Sequence, residues 1–366
     1  MATKKLRIGI IGCGFIANQK HLPGLSVIDE VELVAFCDLI VEKAEKSCKK
    51  YGAEGAKVYV DYKELLADET IDVVHVCTPN RSHSFITVDA LEAGKHVMCE
   101  KPMAINSAEA LKMVEAAKRT GKTLTIGYQN RQRNDIQFLR SKADEGFFGD
   151  IYYARAIAIR RRGVPNWGVF TNEYEQGGGP LIDIGTHSLD LSLWLMNNYK
   201  PKYCVGQTFA KLRDLPLEGD GEWDPTDMTT EDSAFGFVVM EDGAVISVEA
   251  SWAINMFDAM EATCVLAGTR GGADLMNGIR LNGTVDGKRY TEVFPYDAYE
   301  APLMGSVTAS DDPEAEIEGN AEARQWIDAL LNGTAPCVLP EQALCVTRIL
   351  EGIYESAKTG MPYFFE

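Results

Sequence analysis

Asp183 and His187 stand four residues apart in an otherwise apolar segment, GGGPLIDIGTHSLDLSLW, which begins at Gly177. Pro180 is typical of the first turn of a helix, and residues i and i+4 of a helix lie on the same face. We therefore expect the two side chains to point the same way, with Asp190 near them. An acid beside an imidazole, whose unperturbed pKa is about 6.5, is a pattern suited to proton transfer.

The other residues of this segment predict a helix with a core-facing side, formed by Leu181, Ile182, Leu189, Leu193 and Trp194. A histidine on such a helix can also be a plain core residue. The acid one turn earlier favours a catalytic role for His187 instead. Three other histidines have no comparable setting, and we assign structural roles to His21, His75 and His96.

Composition limits the classes of partner. The chain has 366 residues, a length that predicts two domains, and its net charge is -18. Such a surface repels nucleic acids and anionic membranes, so neither is an expected partner. No apolar run reaches the roughly 18 residues of a membrane span. The nine cysteines form no C-x-x-C pair, which favours reduced thiols in a cytoplasmic protein and predicts no metal site.

The first third of the chain carries a pattern typical of a dinucleotide-binding turn. An apolar strand, residues 6–11, is followed at once by the G-x-G-x-x-A motif Gly12-Cys13-Gly14-Phe15-Ile16-Ala17. The first glycine permits a tight turn, the second lets a pyrophosphate approach the backbone, and the third small residue allows close helix–strand packing. We predict that Gly12, Gly14, Phe15 and Ile16 contact the cofactor.

Asp38 follows the next strand, residues 31–37. A carboxylate at that strand end can accept hydrogen bonds from both hydroxyls of an adenosine ribose. It would repel a 2′-phosphate, and no Arg or Lys follows until Lys43. NAD is therefore predicted in preference to NADP. The alternative is that Asp38 only caps the following helix.

Strands and helices alternate up to residue 127, which predicts a parallel, doubly wound sheet. Two of its strands end in Thr78-Pro79-Asn80 and in Glu100-Lys101-Pro102. Ligands of such sheets bind at the carboxyl ends of strands, so these loops and Asp38 are predicted to converge on one crevice.

Further cofactor-binding candidates follow from the same placement. Thr78, Pro79 and Asn80 form the turn after one strand, and Gln129 follows the last one. His83 comes directly after the Thr-Pro-Asn turn and could touch the cofactor.

The regular alternation of strands and helices ends after residue 127. Later strand-like runs, separated by turn signals such as Glu241-Asp242-Gly243, predict a largely antiparallel sheet with one covered face. We predict one domain in residues 1–127 and a second in residues 128–366, with a C-terminal helix packing back on the first. Loops are predicted at 217–231 and 302–313.

These motifs occur in a specific order: G-x-G-x-x-A, Asp38, Thr78-Pro79-Asn80-x-x-His83, Glu100-Lys101-Pro102 and Asp183-x-x-x-His187. The chain resembles the Gfo/Idh/MocA family of NAD(P)-dependent oxidoreductases, which includes inositol and sugar dehydrogenases. The resemblance spans nearly the whole chain, and its strongest elements are E-K-P and D-x-x-x-H.

The resemblance implies an α/β fold. An N-terminal Rossmann domain with a doubly wound parallel sheet would bind NAD. A C-terminal α/β domain with a large open, mostly antiparallel sheet would bind substrate and mediate oligomerisation. Members of the family commonly pair through that sheet into homodimers, homotetramers or higher homo-oligomers.

The resemblance also assigns catalytic positions to Lys101, Asp183 and His187. His187 would take the hydroxyl proton, Asp183 would orient the substrate or the imidazole, and Lys101 would stabilise negative charge on the same oxygen. Glu100 would lie near the nicotinamide ribose. A lysine before a proline can be a plain surface residue, but the strand end and Glu100 favour function. The Lys101–Pro102 bond is predicted to be cis.

Substrate contacts are predicted for Asp183 and His187 themselves and for three further residues. Arg131 follows the last strand of the first domain. Arg162 belongs to the basic run Arg160–Arg162, which is equally typical of a solvated charged surface. Trp167 could stack on a sugar face, with core packing as the alternative.

The leading hypothesis is an NAD-dependent dehydrogenase that oxidises a secondary hydroxyl of a sugar, cyclitol or glycoside to a ketone. The segments 161–170 and 177–180 resemble a narrower bacterial branch in which some members oxidise the 3-hydroxyl of glycosides. One alternative is a glycosidase of the same fold that uses bound NAD in a transient redox cycle, without net NADH. Another is a non-catalytic, dinucleotide-sensing regulator, which the presence of Lys101 and His187 disfavours.

Overall fold

The computed structural model describes residues 5–213, 215, 227–257, 259–276, 278–294 and 315–365. The chain divides into two compact units. Unit 1 comprises Met1–Gln129 and Val307–Leu344, and unit 2 comprises Asn130–Ser306 and Cys345–Glu366. The boundary after residue 127 stays a proposal. The predicted loop at 302–313 and most of the one at 217–231 lie outside the described residues.

Helices and strands alternate through unit 1 and are mixed in unit 2. The described helices are α1 Leu22–Ser26, α2 Val41–Tyr51, α3 Tyr62–Leu66, α4 Asn80–Glu92, α5 Ser107–Thr120, α6 Asn134–Asp144, α7 Glu173–Gln176, α8 Thr186–Met196, α9 Ala315–Asn332 and α10 Pro340–Thr359. The described strands are β1 Leu6–Ile11, β2 Val31–Cys37, β3 Lys57–Tyr59, β4 Val73–Val76, β5 His96–Glu100, β6 Leu124–Gly127, β7 Ile151–Ile159, β8 Pro201–Phe209, β9 Ser233–Met240, β10 Val245–Ser251, β11 Thr263–Gly268, β12 Gly271–Asp274, β13 Ile279–Val285, β14 Lys288–Phe294 and β15 Tyr363–Phe364.

Unit 1 is built on a six-stranded sheet with the order β3-β2-β1-β4-β5-β6. All five pairs of neighbouring strands are parallel. The chain reverses its direction of travel across the sheet between β1 and β4, which is the order of a doubly wound dinucleotide-binding fold. The predicted Rossmann sheet is therefore confirmed.

The core of unit 1 includes a helix from the far end of the chain. Trp326 and Ile327 of α9 pack in one cluster with Ile8, Ile10 and Phe36. All five side chains are at most 1% exposed. Of the two C-terminal helices, α9 thus packs against the first sheet, whereas α10 belongs to unit 2 from Cys345 onward.

Unit 2 is built on a nine-stranded sheet with the order β14-β13-β12-β11-β7-β10-β9-β8-β15. Strands β7 and β10 pair in parallel, and the other neighbouring pairs are antiparallel. This mixed sheet confirms the mostly antiparallel second domain that the sequence predicts.

Helices cover one face of this second sheet. Helix α8 packs against β7 and β11, and Ile353 of α10 lies directly over β8 and β9. A Cβ on Gly206 or Gly236 would lie 2.6 Å from the Ile353 side chain, so both positions need glycine. Side chains alternate across a strand, and on the opposite face Val205 and Phe237 are paired in register and exposed.

Among the described residues, no helix combines the length and the apolar character that a membrane crossing requires. Over the same residues, no group of three or more His, Cys, Asp or Glu side chains could hold a metal ion.

Candidate active site

The glycine turn of unit 1 has the shape that a dinucleotide requires. Gly12 has φ +91°, and a Cβ there would lie 2.5 Å from the Cys77 carbonyl oxygen, so only glycine fits. No heavy atom lies within 4 Å of the place where Gly14 would carry a Cβ, which leaves its backbone accessible to a phosphate. Phe15 is 45% exposed and Ile16 is partly buried.

Asp38 stands at the carboxyl end of β2 and is tied to this turn. Its Oδ2 accepts a hydrogen bond from the Cys13 backbone N–H at 2.9 Å, and its Oδ1 accepts one from the Ile40 N–H at 2.9 Å. Each carboxylate oxygen has a further lone pair, so the group can still accept ribose hydroxyls. Helix α2 begins at Val41, and its N-cap makes no side-chain hydrogen bond, so Asp38 does not act as the N-cap.

The other predicted cofactor-binding residues of unit 1 lie at the expected strand ends. Thr78 and Pro79 follow β4, and Asn80 is the first residue of α4. Thr78 Oγ1 accepts a hydrogen bond from Ser82 at 2.8 Å. Gln129 Oε1 is buried and has no hydrogen-bond partner among the described residues, so it presents a polar atom suited to a ligand.

His83 is a buried residue of α4. It is 1% exposed, and its two ring nitrogens lie 2.8 Å from the carbonyl oxygens of Pro102 and Thr78. A neutral imidazole carries one N–H, so one nitrogen donates to a carbonyl oxygen and the other only faces one. His83 lies between the Thr78 and Pro102 turns with both nitrogens directed at backbone groups, and its contact with the cofactor stays a prediction.

Glu100 is likewise engaged within the protein. Its side chain is buried, and Oε1 lies 2.5 Å from Lys20 Nζ and 2.6 Å from His21 Nε2. Its Oε2 accepts a hydrogen bond from the Lys101 backbone N–H at 3.2 Å. Glu100 is 4% exposed and has an internal role, and its contact with a nicotinamide ribose stays a prediction.

Glu100 belongs to a buried polar cluster, which we define as Lys20, His21, His75, Glu100 and Glu322. Lys20 Nζ also lies 3.0 Å from Glu322 Oε2 on α9, and His21 Nδ1 lies 2.8 Å from His75 Nδ1. The cluster connects the π-helical turn Ala17–His21, the ends of β4 and β5, and α9. The sequence did not predict this cluster, and no motif around His21 or His75 indicates it.

Opposite charges control the protonation of this cluster. Burial alone would raise the pKa of Glu100, but Lys20 and His21 outweigh it and hold that pKa well below its usual range. Burial would lower the pKa of Lys20, whereas Glu100 and Glu322 raise it. Both groups are therefore charged at neutral pH, and the cluster fixes the end of β5 directly before Lys101.

Lys101 begins the loop after β5 and is partly buried. The Lys101–Pro102 peptide bond is cis, as predicted. With its backbone N–H held by Glu100, Lys101 stands at a defined strand end of the parallel sheet, where such sheets bind ligands.

Asp183 and His187 lie in one continuous helical segment of unit 2. Asp183 is within a π-helical turn, Leu181–Gly185, and His187 is the second residue of α8. Trp252 Nε1 donates a hydrogen bond to Asp183 Oδ2 at 3.1 Å, and His187 is 3% exposed. The predicted α-helix is thus π-helical in its first turn, a feature that often occurs at functional sites.

Arg131 and Asp190 form a buried ion pair. Arg131 Nε donates to Asp190 Oδ2 at 2.8 Å, and Nη2 lies 2.6 Å from Oδ1. Their side chains are 0% and 1% exposed. The prediction that Arg131 binds substrate is therefore corrected, because its guanidinium is committed to Asp190. Asp190 in turn pairs with Arg131, a partner that the helix pattern did not indicate.

The basic run is divided between two roles. Arg160 donates to both oxygens of Glu261, each at 2.6 Å, and nearby Asp183 also raises its pKa, although burial opposes this. Arg162 donates to Asn255 Oδ1 at 2.8 Å and remains partly exposed. Arg160 therefore belongs to the surroundings of Asp183, whereas Arg161 is exposed and Arg162 is partly exposed.

Trp167 is 56% exposed, and its ring packs edge-on against Phe170 at 5.8 Å between centroids. It is not a core residue, so the packing alternative does not describe it. An exposed indole offers an apolar face on which a sugar ring can stack.

Sequence comparisons match most of the chain. The model of an oxidoreductase family with an NAD-binding Rossmann fold, Gfo/Idh/MocA, matches residues 6–128, and the model of the Gfo/Idh/MocA C-terminal domain matches residues 136–274. D-glucoside 3-dehydrogenase of Escherichia coli K12 is 34% identical over 365 residues, which cover 98% of this chain and 97% of that protein. Inositol 2-dehydrogenase of Salmonella paratyphi B is 30% identical over 273 residues, 74% of either chain.

A solved structure shows the same fold. The oxidoreductase domain protein from Kribbella flavida matches with a TM-score of 0.82 at 22% identity, over the full length of both chains.

Proposed function

The chain belongs to the Gfo/Idh/MocA family of oxidoreductases, and we propose that it is an NAD-dependent dehydrogenase that oxidises a secondary hydroxyl of a sugar, cyclitol or glycoside to a ketone. The observation that carries this proposal is the likeness to D-glucoside 3-dehydrogenase, which extends over 98% of the chain. The inositol 2-dehydrogenase relative supports the wider class of cyclic polyols. Within the glycoside class we propose the 3-hydroxyl as the reacting group.

The residues of the glycine turn fit the dinucleotide. Gly12 and Gly14 would accommodate the pyrophosphate, and Asp38 would accept the adenosine ribose hydroxyls. Gln129, with its unpartnered Oε1, is the proposed polar contact beyond the last strand of unit 1. When bound, NAD accepts the hydride from the carbinol carbon.

The protein would supply proton transfer and charge stabilisation. We assign His187 as the base that takes the hydroxyl proton. Asp183, held by Trp252, orients the substrate or the imidazole. Lys101 donates to the reacting oxygen and stabilises the negative charge that develops there. Arg162 and Trp167 are the proposed contacts to the rest of the substrate.

The assay is NADH formation from purified protein with inositols, monosaccharides and glycosides as substrates, followed at 340 nm, with ketone products identified by mass spectrometry. We expect net NADH with at least one cyclic polyol and a higher kcat/KM with NAD than with NADP. Free sugar released without net NADH would instead indicate the redox-cycling glycosidase, and no turnover of any substrate would contradict the proposal. A preference for NADP would contradict the role of Asp38.

We also propose a homo-oligomer formed through the open face of the second sheet. Val205, Phe209 and Phe237 are 37–44% exposed on β8 and β9, opposite the face that α10 covers. Cysteines without C-x-x-C spacing support a cytoplasmic location.

A further inference from the structure

We propose that Glu231 and Tyr354 are positioning residues for this reaction, because together they clamp the Gly177–Pro180 turn from which the Asp183 segment begins. The inference rests on the proposed function, since it takes Asp183 and His187 as reacting groups. It concerns only residues of unit 2.

Glu231 binds the start of the segment through both oxygens. Its Oε2 accepts a hydrogen bond from the Gly179 N–H at 2.9 Å, and its Oε1 accepts one from the Leu181 N–H at 3.3 Å. The first amides of a helical segment have no partner within it, so an acceptor must come from elsewhere. A carboxylate is favoured at this end because the aligned peptide dipoles make it positive.

Tyr354 completes the clamp from α10. Its hydroxyl donates to Glu231 Oε1 at 2.7 Å, so the carboxylate receives three donors in all. A group that is occupied in this way does not reach substrate. Glu231 therefore acts through the segment that it holds.

The clamp explains two of the three consecutive glycines, Gly178 and Gly179, which the proposed chemistry does not require. A Cβ on Gly178 would overlap the Tyr354 hydroxyl, and a Cβ on Gly179 would overlap the Glu231 carbonyl oxygen. Gly177 has φ +82°, in the left-handed region that favours glycine. Any side chain at position 178 or 179 would push the two clamp residues away.

The position of Asp183 follows from this anchor. The π-helical turn starts at Leu181, whose N–H is held by Glu231, and Asp183 lies two residues later with its carboxylate bound to Trp252. The segment is thus fixed at its backbone by Glu231 and at its side chain by Trp252. A displacement of about 1 Å at a reacting group can cost roughly 10²-fold in rate.

The first measurement is hydrogen exchange, which does not depend on activity. In Glu231→Gln one carboxylate oxygen is replaced by an NH2 that cannot accept a hydrogen bond, so one of the Gly179 and Leu181 amides loses its acceptor. We expect the exchange of that amide to become about tenfold faster or more, confined to peptides covering 177–187. Tyr354→Phe removes one donor and should give a smaller increase. Glu355→Gln, an exposed neighbour on α10, is the matched control and should leave exchange unchanged.

The second measurement is steady-state kinetics with a substrate deuterated at the reacting carbon. We expect Glu231→Gln to lower kcat by about 10- to 100-fold with an unchanged KM for NAD and a larger isotope effect on kcat. Partial unfolding would reduce the active fraction without changing the isotope effect. Glu231→Asp keeps the charge and should recover part of kcat.

The outcomes separate the clamp from the function. Unchanged exchange in Glu231→Gln overturns the clamp. Faster exchange with an unchanged kcat and isotope effect overturns the positioning role. If none of the polyols tested supports NAD reduction by the wild-type protein, the proposed function and the reaction role fail together. The exchange data then still decide whether Glu231 holds the turn.

Discussion

His187 is the side chain on which the proposed proton transfer depends. It follows Asp183 by four residues, and the structure places the two in one segment with Asp183 bound to Trp252. The acid, the imidazole and their spacing could be predicted from the sequence. The contact between Trp252 and Asp183 could not be predicted, because the sequence pattern of a strand does not show which distant side chain the residues at its end will contact.

Replacing His187 tests the base directly. We expect His187→Ala to lower kcat by about 10²-fold or more while the Kd for NAD, measured by calorimetry, hardly changes. His96→Ala is the control, because His96 lies at the start of β5 and accepts a hydrogen bond from the Thr123 N–H. Equal turnover of His187→Ala and wild type would reject the base assignment.

Glu100 gives a pH-dependent prediction at the same scale. Its pKa is lowered in the folded protein, so the unfolded chain binds this proton more readily. The stabilisation from Glu100 is therefore present above the unfolded pKa of about 4.3 and is lost as the pH falls below that value. We expect the free energy of unfolding of the wild type to fall between about pH 7 and about pH 3 by more than that of Glu100→Gln, because most of this loss lies below the unfolded pKa.

Urea denaturation at the two pH values measures this difference. Glu115→Gln removes the same charge from an exposed position on α5 and should keep the pH dependence of the wild type. If Glu100→Gln and the wild type lose stability in parallel, the buried cluster does not hold Glu100 ionised.

At the scale of elements, the Arg131–Asp190 pair joins the turn after β6 to α8. Removing one partner of a buried pair leaves an uncompensated charge, which costs about 3–5 kcal/mol. We expect Arg131→Met to lower the free energy of unfolding by that amount, measured by denaturant titration. Arg131→Met/Asp190→Leu should regain most of the loss, because neither charge is then left without its partner.

An exposed ion pair is the matched control for this experiment. Arg119 and Glu92 form one on the surface of unit 1, with 58% and 46% of their side chains exposed. Such pairs contribute at most about 1 kcal/mol, so Arg119→Met should have a small effect. A similarly small effect of Arg131→Met would show that the pair does not brace α8.

The elements themselves could be predicted to different extents. Strands β1 and β2 have the predicted bounds, because an apolar run that ends in turn residues is a local signal. The two π-helical turns, at Ala17–His21 and Leu181–Gly185, carry no local sequence pattern that distinguishes them from α-helix. The second begins at Leu181, whose N–H binds the distant Glu231.

The same limit applies to buried charges. Arg131 follows a Rossmann strand in the sequence, and that position alone suggested a ligand contact. Its actual partner, Asp190, lies on a helix that the sequence assigned to another purpose. Lys20 and Glu100 are also far apart in the chain and meet at the first sheet, and α9 adds Glu322 to them.

At the scale of the whole molecule, the face of the second sheet opposite α10 carries exposed apolar side chains on β8 and β9. Phe235 and Phe209 pack at 6.1 Å between centroids on that face, and Val205 lies beside Phe237. A contiguous exposed apolar patch of this kind marks an interaction surface in soluble proteins. A second copy of the sheet offers the same patch, so a twofold pairing is self-complementary.

A charge in the middle of this face should break the oligomer. We expect the wild type to elute as a dimer or larger in size-exclusion chromatography with light scattering, and Phe237→Asp to elute as a monomer of about 40 kDa, because a carboxylate buried in an apolar interface loses its hydration. Phe85→Asp, at a 48% exposed phenylalanine of α4, should keep the wild-type mass. A monomeric wild type would exclude the interface. An unchanged mass for Phe237→Asp would place the interface elsewhere, since an interface centred on β8 and β9 cannot bury that carboxylate without cost.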